Sequence, residues 1–394
     1  MDNSILSIEI QAFINSNLNA DIAKLALQKN KFPNTDWPTI LNQIGAKQKA
    51  KSKLSTWFAT QNIIYPSKIS IEQTSSEKTA YYKSKLVSGK SLIDLTGGFG
   101  VDDFYFAKKI NNVVHCEINE ALSQIVAHNF QQLETKNITC VAGDSFKILK
   151  NLNQKFDWIY IDPSRRNEAK GKVFMLQDCL PNIPELLDFY FEFTNNIMIK
   201  TAPILDISAG LLELTNVKAI HVVAVENEVK ELLWIIEKSY SKPIKIIACN
   251  LIKETSEEFT FEHGNKLISD YSFPKKYLFE PNAAIMKSGG FDEITAQFKV
   301  EKLHQHSHLY TSDRLIDFPG RVFKIETSFE YNKQNMSQNF GIENKKANIT
   351  IRNFPETVEN IRKKWKINDG GTTYCFFTTD ANNTKIVLLC SKLK

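Results

Sequence analysis

The segment Asp94-Leu-Thr-Gly-Gly-Phe-Gly100 closes a short apolar run, Leu92 to Leu95, and opens a helix-length stretch. Glycines at such a turn let the backbone pass close to a ligand, and the helix that follows offers unpaired N–H groups to acceptor atoms. Asp94, Thr96, Gly98 and Gly100 are therefore candidate cofactor ligands. Glu117 ends the next apolar run, where an acid can take both hydroxyls of a ribose. Gly143-Asp144-Ser145-Phe146 follows the third run, and an acid with an apolar neighbour suits an adenine ring, which adds Asp144 and Ser145. A nicotinamide site shares the first two features, but the turn lacks Gly-x-Gly-x-x-Gly spacing.

A fourth run ends in Asp162-Pro163-Ser164-Arg165-Arg166. Proline at a strand exit stiffens it and removes a donor, leaving nearby carbonyls to accept from a substrate. The chain has six arginines among its 49 basic residues, so two side by side at this point are unlike scattered solubility charge. Guanidinium forks bind phosphate or carboxylate bidentately; a structural salt bridge is the competing role. Asp162, Pro163, Arg165 and Arg166 are the candidate catalytic residues, with Ser164 and Lys200, from Lys200-Thr-Ala-Pro203, as substrate-binding candidates. Gln73, Ser75 and Ser76 precede the first run, where they either close over the cofactor or serve as a helix N-cap. Asn227 and Glu228 suit a sheet edge or a helix N-cap. His304, His306 and His308 alternate without a fourth ligand, so no metal site is expected. Trp365 among Lys363, Lys364 and Lys366 has the mixture found on RNA-binding surfaces and equally that of a basic helix C-terminus.

The elements that must position these residues follow from periodicity. From Ser91 short apolar runs (92–95, 112–117, 138–141, 158–161, 197–199, 219–224, 244–248) alternate with helix-length segments, predicting βαβ units and a mainly parallel sheet with helices on both faces. Such sheets bind ligands at the carboxyl ends of their strands. Apolar residues at three-to-four spacing predict helices over the first 65 residues, separated at Pro33 and Pro38, and another helix begins near Ser76. A strand is expected at 259–262, a helix at 292–298 and a Pro-Gly turn ending at Gly320. The last unit reads as strand 347–352, helix 355–365 and strands 373–378 and 385–390, joined at Asn382-Asn383.

The 394 residues are 42% hydrophobic and 24% charged, ample for several cores. No stretch approaches the roughly 20 apolar residues that span a bilayer, and the acidic opening Met1-Asp-Asn-Ser is unlike a secretory signal. Six scattered cysteines without a Cys-x-x-Cys pair predict reduced thiols and a cytoplasmic location. The net +5 is unevenly spread: residues 1–90 and 321–394 each carry +6 and the middle −7, so the flanks suit a polyanion.

The order and spacing of Asp94 to Gly100, Glu117, Asp144 and Asp162-Pro163 resemble the class I S-adenosylmethionine-dependent methyltransferases, over residues 73 to 250. With 162–166, the Asp317-Phe-Pro-Gly-Arg321 turn and the unit at 347–390, the chain is similar to bacterial methyltransferases with a C-terminal THUMP-like domain, and 277–313 looks like the small ferredoxin-like domain they carry. The resemblance implies a helical region (1–72), a Rossmann-like α/β methyltransferase domain (73–252), a ferredoxin-like α+β domain (253–320) and a THUMP-like β-α-β-β domain (321–394). It also implies S-adenosyl-L-methionine as cofactor and an RNA substrate, tRNA or rRNA, with Asp162 orienting or deprotonating the nucleophile and the arginines positioning RNA. Two positions depart from the pattern. Thr96 replaces the first loop glycine, where backbone atoms face the ligand, and Ser164 and Arg165 replace the Pro-aromatic pair that stacks a base in amine methyltransferases. The alternatives are a non-catalytic RNA-binding protein on this scaffold and a methyltransferase for a small carboxylate or a protein.

Overall fold

The computed structural model describes residues 3–165, 175–340 and 346–394. The chain divides into two compact units, Met1–Ile220 with Glu231–Lys242, and His221–Lys230 with Pro243–Lys394. This division is coarser than the four segments expected from sequence.

In the first unit, N-terminal helices form where side-chain caps start them. Ser7, Asp21, Asp36 and Ser67 each accept a backbone N–H at the head of the helices Ile8–Ser16, Ile22–Ala26, Trp37–Lys53 and Lys68–Gln73. Pro38 does not separate helices; it sits in the first turn of Trp37–Lys53, where its missing N–H costs nothing. Ala46, Ala50, Leu54, Trp57, Tyr65 and Ile71 share one core with Phe99, Phe104, Val126 and Phe130 from the segments after the first two strands of the sheet. The N-terminal helices are thus part of the same buried mass as the sheet domain.

That sheet contains β1 (Ser91–Asp94), β2 (Asn112–Glu117), β3 (Ile138–Ala142), β4 (Trp158–Ile161) and β5 (Asn196–Thr201), then β6 (Val217–Val225) and β7 (Glu228–Glu237). Within the first unit the strands run in the order β7-β5-β4-β1-β2-β3. β1 to β5 are mutually parallel and β7 is antiparallel to β5, with Thr201 opposite Leu232. The order reverses between β1 and β4, so their outgoing loops diverge and leave a crevice at the carboxyl edge. Glu226 and Asn227 both take positive φ, 49° and 66°, in the two-residue turn between β6 and β7. This turn replaces the helix N-cap considered for Asn227 and Glu228.

In the second unit, β8 (Lys245–Ile252) and β9 (Thr255–Glu262) form a hairpin. A seven-stranded sheet follows, built from β10 (Tyr277–Pro281), β11 (Glu301–Lys302), β12 (Tyr310–Ser312), β13 (Gly320–Glu330), β14 (Asn348–Ile351), β15 (Thr373–Thr379) and β16 (Lys385–Lys392), ordered β11-β12-β10-β13-β16-β15-β14. The expected terminal strands and the helix, here Val358–Trp365, are present. The sheet continues through the Pro-Gly turn: Gly320 opposes Pro281, and a side chain there would meet the Glu280 carbonyl oxygen at 2.2 Å. Arg321 Nε donates to the buried Glu280 carboxylate at 2.6 Å, fastening β13 to β10, and Arg352 Nη2, just after β14, donates to it at 2.9 Å. No helix among the described residues is long and apolar enough to cross a membrane.

Candidate active site

Asp94, Thr96, Gly98, Glu117, Asp144, Ser145, Asp162 and Lys200 lie at or just beyond the carboxyl ends of β1 to β5. The Asp94 carboxylate, buried below the turn, accepts from Thr96 N–H at 2.7 Å and from the Thr96 hydroxyl at 3.1 Å. The Thr96 hydroxyl in turn accepts the Asp162 N–H at 2.7 Å. The side chain at the non-glycine position therefore ties the β1 loop to the β4 exit, beyond the backbone role expected of it. Gly97 packs on the imidazole of His115, where a Cβ would lie 2.1 Å from a ring atom. Beside Gly98, at φ 55°, a Cβ would meet only the Thr96 carbonyl, so this side of the loop is open.

Glu117 Oε2 accepts from Gly98 N–H at 3.0 Å and Oε1 from Asn119 N–H at 2.7 Å. The carboxylate is thereby fixed at the rim of the crevice. Asp144 caps the helix Ser145–Leu152 through Lys147 N–H, and Ser145 is its first residue. Ile118 is 76% exposed and Phe146 39%, Phe146 stacking on Phe189 with ring centroids 4.3 Å apart. Exposed apolar side chains at adjoining strand ends suit one face of a purine. Open backbone at Gly98, a fixed acid at Glu117 and apolar surface at Ile118 and Phe146 fit an adenosyl group.

At β4 and β5, Ile161 pairs with Ile199, and the next residue on each strand, Asp162 and Lys200, form an ion pair. Lys200 is 13% exposed and Asp162 37%, so both border the crevice. Pro163 is half-buried and Ser164 exposed; Ser164 and Arg165 pair with Cys179–Leu180 in a two-residue ladder. Arg166 lies outside the described residues. Gln73 is exposed and ends the helix Lys68–Gln73 instead of beginning the next one. Ser76 caps that next helix, Glu77–Ser84.

A buried charge cluster lies behind Lys200, and sequence reasoning missed it. Lys83, fully buried, contacts Glu231 Oε2 at 2.8 Å, the Ser75 hydroxyl at 3.1 Å and Asp102 Oδ1 at 3.2 Å. Asp102 Oδ2 accepts from the Tyr160 and Ser75 hydroxyls, each at 2.8 Å. Burial would raise the Asp102 carboxyl, but Lys83 and then Lys200 hold it below the ordinary range, whereas for Glu231 burial prevails and the carboxyl is raised. Burial opposes the charge on Lys200, yet Asp162, Asp102 and Glu231 together push its ammonium above the ordinary lysine value. Glu231 was legible as a lone acid opening the apolar run Leu-Leu-Trp-Ile-Ile; buried acids need a partner. Beneath the loop, His115 Nδ1 meets Asp103 Oδ2 at 2.6 Å; burial lowers the imidazole and raises the acid. Burial, followed by the charge of Asp103, also raises Asp94 well above the ordinary range.

The remaining candidates are engaged structurally. His304 bonds to Asn383 and Asn353, each at 2.9 Å, and His308 stacks on Phe291. Among the described residues no group of three or more His, Cys, Asp or Glu could hold a metal. Trp365 donates its indole N–H to the Tyr331 hydroxyl at 3.0 Å and packs in the core; Lys363, Lys364 and Lys366 beside it are exposed.

Residues 277–319 match a family model of a ferredoxin-like domain and residues 320–392 one described as THUMP domain-like. The two models meet at the Pro-Gly turn. No curated protein sequence matches the chain. Over its whole length the chain is similar to the crystal structure of a candidate methyltransferase from Porphyromonas gingivalis W83, with 30% identity, 99% of that chain covered and a TM-score of 0.88. TrmK from M. capricolum in complex with S-adenosylhomocysteine is similar over 41% of this chain and 68% of its own, at 16% identity and a TM-score of 0.33. An rRNA methylase from Streptococcus thermophilus is similar over 41% and 95%, at 11% identity and a TM-score of 0.30.

Proposed function

Because the chain belongs to the same family as the Porphyromonas gingivalis protein, the class I methyltransferases with C-terminal ferredoxin-like and THUMP-like domains, we propose that it transfers a methyl group from S-adenosylmethionine to RNA, tRNA or rRNA. The observation that carries this is the row of Glu117, the open Gly98 loop and the Asp162–Lys200 pair along one sheet edge.

Asp94 and Gly98 shape the loop, Glu117 takes the ribose hydroxyls, and Asp144, Ser145, Ile118 and Phe146 border the adenine. S-adenosylmethionine, when bound, supplies an electrophilic methyl carbon on a sulfonium centre. Asp162 receives the acceptor's proton, and Pro163 keeps the β4 exit rigid. Ser164, Arg165 and Arg166 position the substrate. In-line displacement at a methyl carbon gains mainly from alignment and exclusion of water, which rigid strand ends provide. The exposed lysines around Trp365 and the +6 of residues 321–394 supply phosphate attraction. A cytoplasmic site of action is part of this reading, in keeping with six scattered cysteines and no Cys-x-x-Cys pair.

Two measurements test this. Titration calorimetry with S-adenosylhomocysteine should show micromolar binding, and methyl-labelled cofactor should label RNA from cells lacking the gene. Absence of binding at millimolar ligand overturns the methyltransferase assignment. Binding without transfer to RNA favours the scaffold alternative, and labelling of protein or a small carboxylate favours the third.

A further inference from the structure

We propose that the methyl acceptor is a hydroxyl oxygen, in RNA the ribose 2′-hydroxyl, and that Asp162 and Lys200 are the catalytic pair, positioned by Lys83, Asp102 and Glu231; this rests on the RNA methyltransferase assignment above. The crevice presents a carboxylate and an ammonium side by side where β4 and β5 end. Lys200 contacts Asp162 Oδ2, and among the described residues Oδ1 has no hydrogen-bond partner.

The two kinds of acceptor meet this pair differently. A base nitrogen acquires positive charge as its lone pair attacks, and a fixed ammonium alongside opposes that charge. Amine acceptors also need a ring to stack on, and the residues after Pro163 are serine and arginine. A hydroxyl has one proton to lose and becomes more negative as it loses it. The ammonium offsets that charge while one carboxylate oxygen receives the proton. The step balances: the oxygen lone pair forms the C–O bond, the S–CH₃ bonding pair stays on sulfur as a thioether, and the hydroxyl proton passes to Asp162 and then to water. The 2′-hydroxyl is the hydroxyl repeated along an RNA strand.

The buried cluster explains how the ammonium is kept charged. Lys83 engages both Glu231 oxygens, at 2.9 and 2.8 Å, and Tyr160 and Ser75 fix Asp102. The charge of Asp162, in contact with Lys200, and those of Asp102 and Glu231 hold its proton against burial. Lysine therefore acts as a fixed cation and aspartate as the proton acceptor.

The test uses the full chain, methyl-labelled S-adenosylmethionine and total RNA from cells lacking the gene, followed by alkaline hydrolysis. A 2′-O-methyl group blocks cleavage, so label is expected in alkali-resistant dinucleotides; label in mononucleotides, on a base, overturns the proposal. Lys200→Met should slow transfer by about 100-fold or more while leaving S-adenosylhomocysteine affinity within about twofold, and Lys200→Arg should recover part of the rate because it keeps the charge. The rate should not rise steeply between about pH 8 and pH 10; such a rise would make neutral lysine the base. Transfer by Lys200→Met at the unmutated rate also overturns the proposal. RNA left unlabelled by unmutated protein that binds S-adenosylhomocysteine removes the RNA methyltransferase assignment itself.

Discussion

The Asp162 N–H donates to the Thr96 hydroxyl at 2.7 Å, and the same hydroxyl donates to Asp94 at 3.1 Å. One small side chain thus holds the cofactor loop and the proposed catalytic strand end in fixed relation. Thr96→Val keeps the shape and removes both bonds. It should cost about 1–3 kcal/mol of stability, read as a lower melting temperature, with Thr96→Ser recovering most of it.

Glu117 has two roles, since it already accepts from Gly98 and Asn119. Glu117→Ala should weaken S-adenosylhomocysteine binding by about 1.5–3 kcal/mol, or about 10- to 150-fold by calorimetry. The far-ultraviolet circular dichroism should not change.

Gly97→Ala should fail differently. Its methyl group would enter the imidazole of His115, which is buried and held by Asp103. An overpacked site of this kind costs about 1–3 kcal/mol, and displacement of the loop should abolish binding of S-adenosylhomocysteine at concentrations where the unmutated protein is saturated.

His308 gives a pH signature. Burial, with Lys302, Arg352 and His306 adding and Asp292 opposing, pushes its imidazole down to about 4, so the folded state resists the proton that the unfolded chain accepts below about 6.5. The stability from its neutral form is present above pH 6.5 and is lost as pH falls toward 4. With the half-exposed ring screened by solvent, the loss is about 1–2 kcal/mol. His308→Asn, compatible with the positive φ of 51°, should flatten the decline in melting temperature across that window.

Charge reversal tests the proposed RNA-capturing surface better than truncation after Gly320, because β13 pairs with β10 across that point and removing it would open the sheet. Lys363→Glu with Lys366→Glu changes two exposed residues and spares Lys364, which is paired with Glu356. RNA affinity should fall about 10-fold or more, and the slope of log affinity against log salt should become shallower by about 2. Fluorescence anisotropy at several salt concentrations reads both, and unchanged slopes would place the RNA contact elsewhere.

The parallel strands were legible as short apolar runs, three of which end in or directly before a chemically distinctive residue: Asp94, Glu117 and Asp162. β7 was not, because Leu232-Leu-Trp-Ile-Ile236 is apolar throughout and gives neither a period of two nor one of 3.6. The cofactor residues could be found because they cluster around local turns. Lys83, Asp102 and Glu231 could not be linked, because 148 residues separate Lys83 from Glu231 and only the sheet brings them together. The merging of the N-terminal helices with the sheet domain is likewise a long-range packing fact that helical periodicity cannot carry.

The position of β16 between β13 and β15 bears on how the second unit is made. A ribosome releases β13 and β15 before β16, and until residue 392 has emerged each has an unpaired edge facing the other across a gap. Nascent chains of this protein therefore pass through an interval in which two strand edges are open to intermolecular pairing, the situation in which holding chaperones matter most. A premature stop between residues 380 and 390 would make that interval permanent, yielding a chain prone to aggregation and degradation.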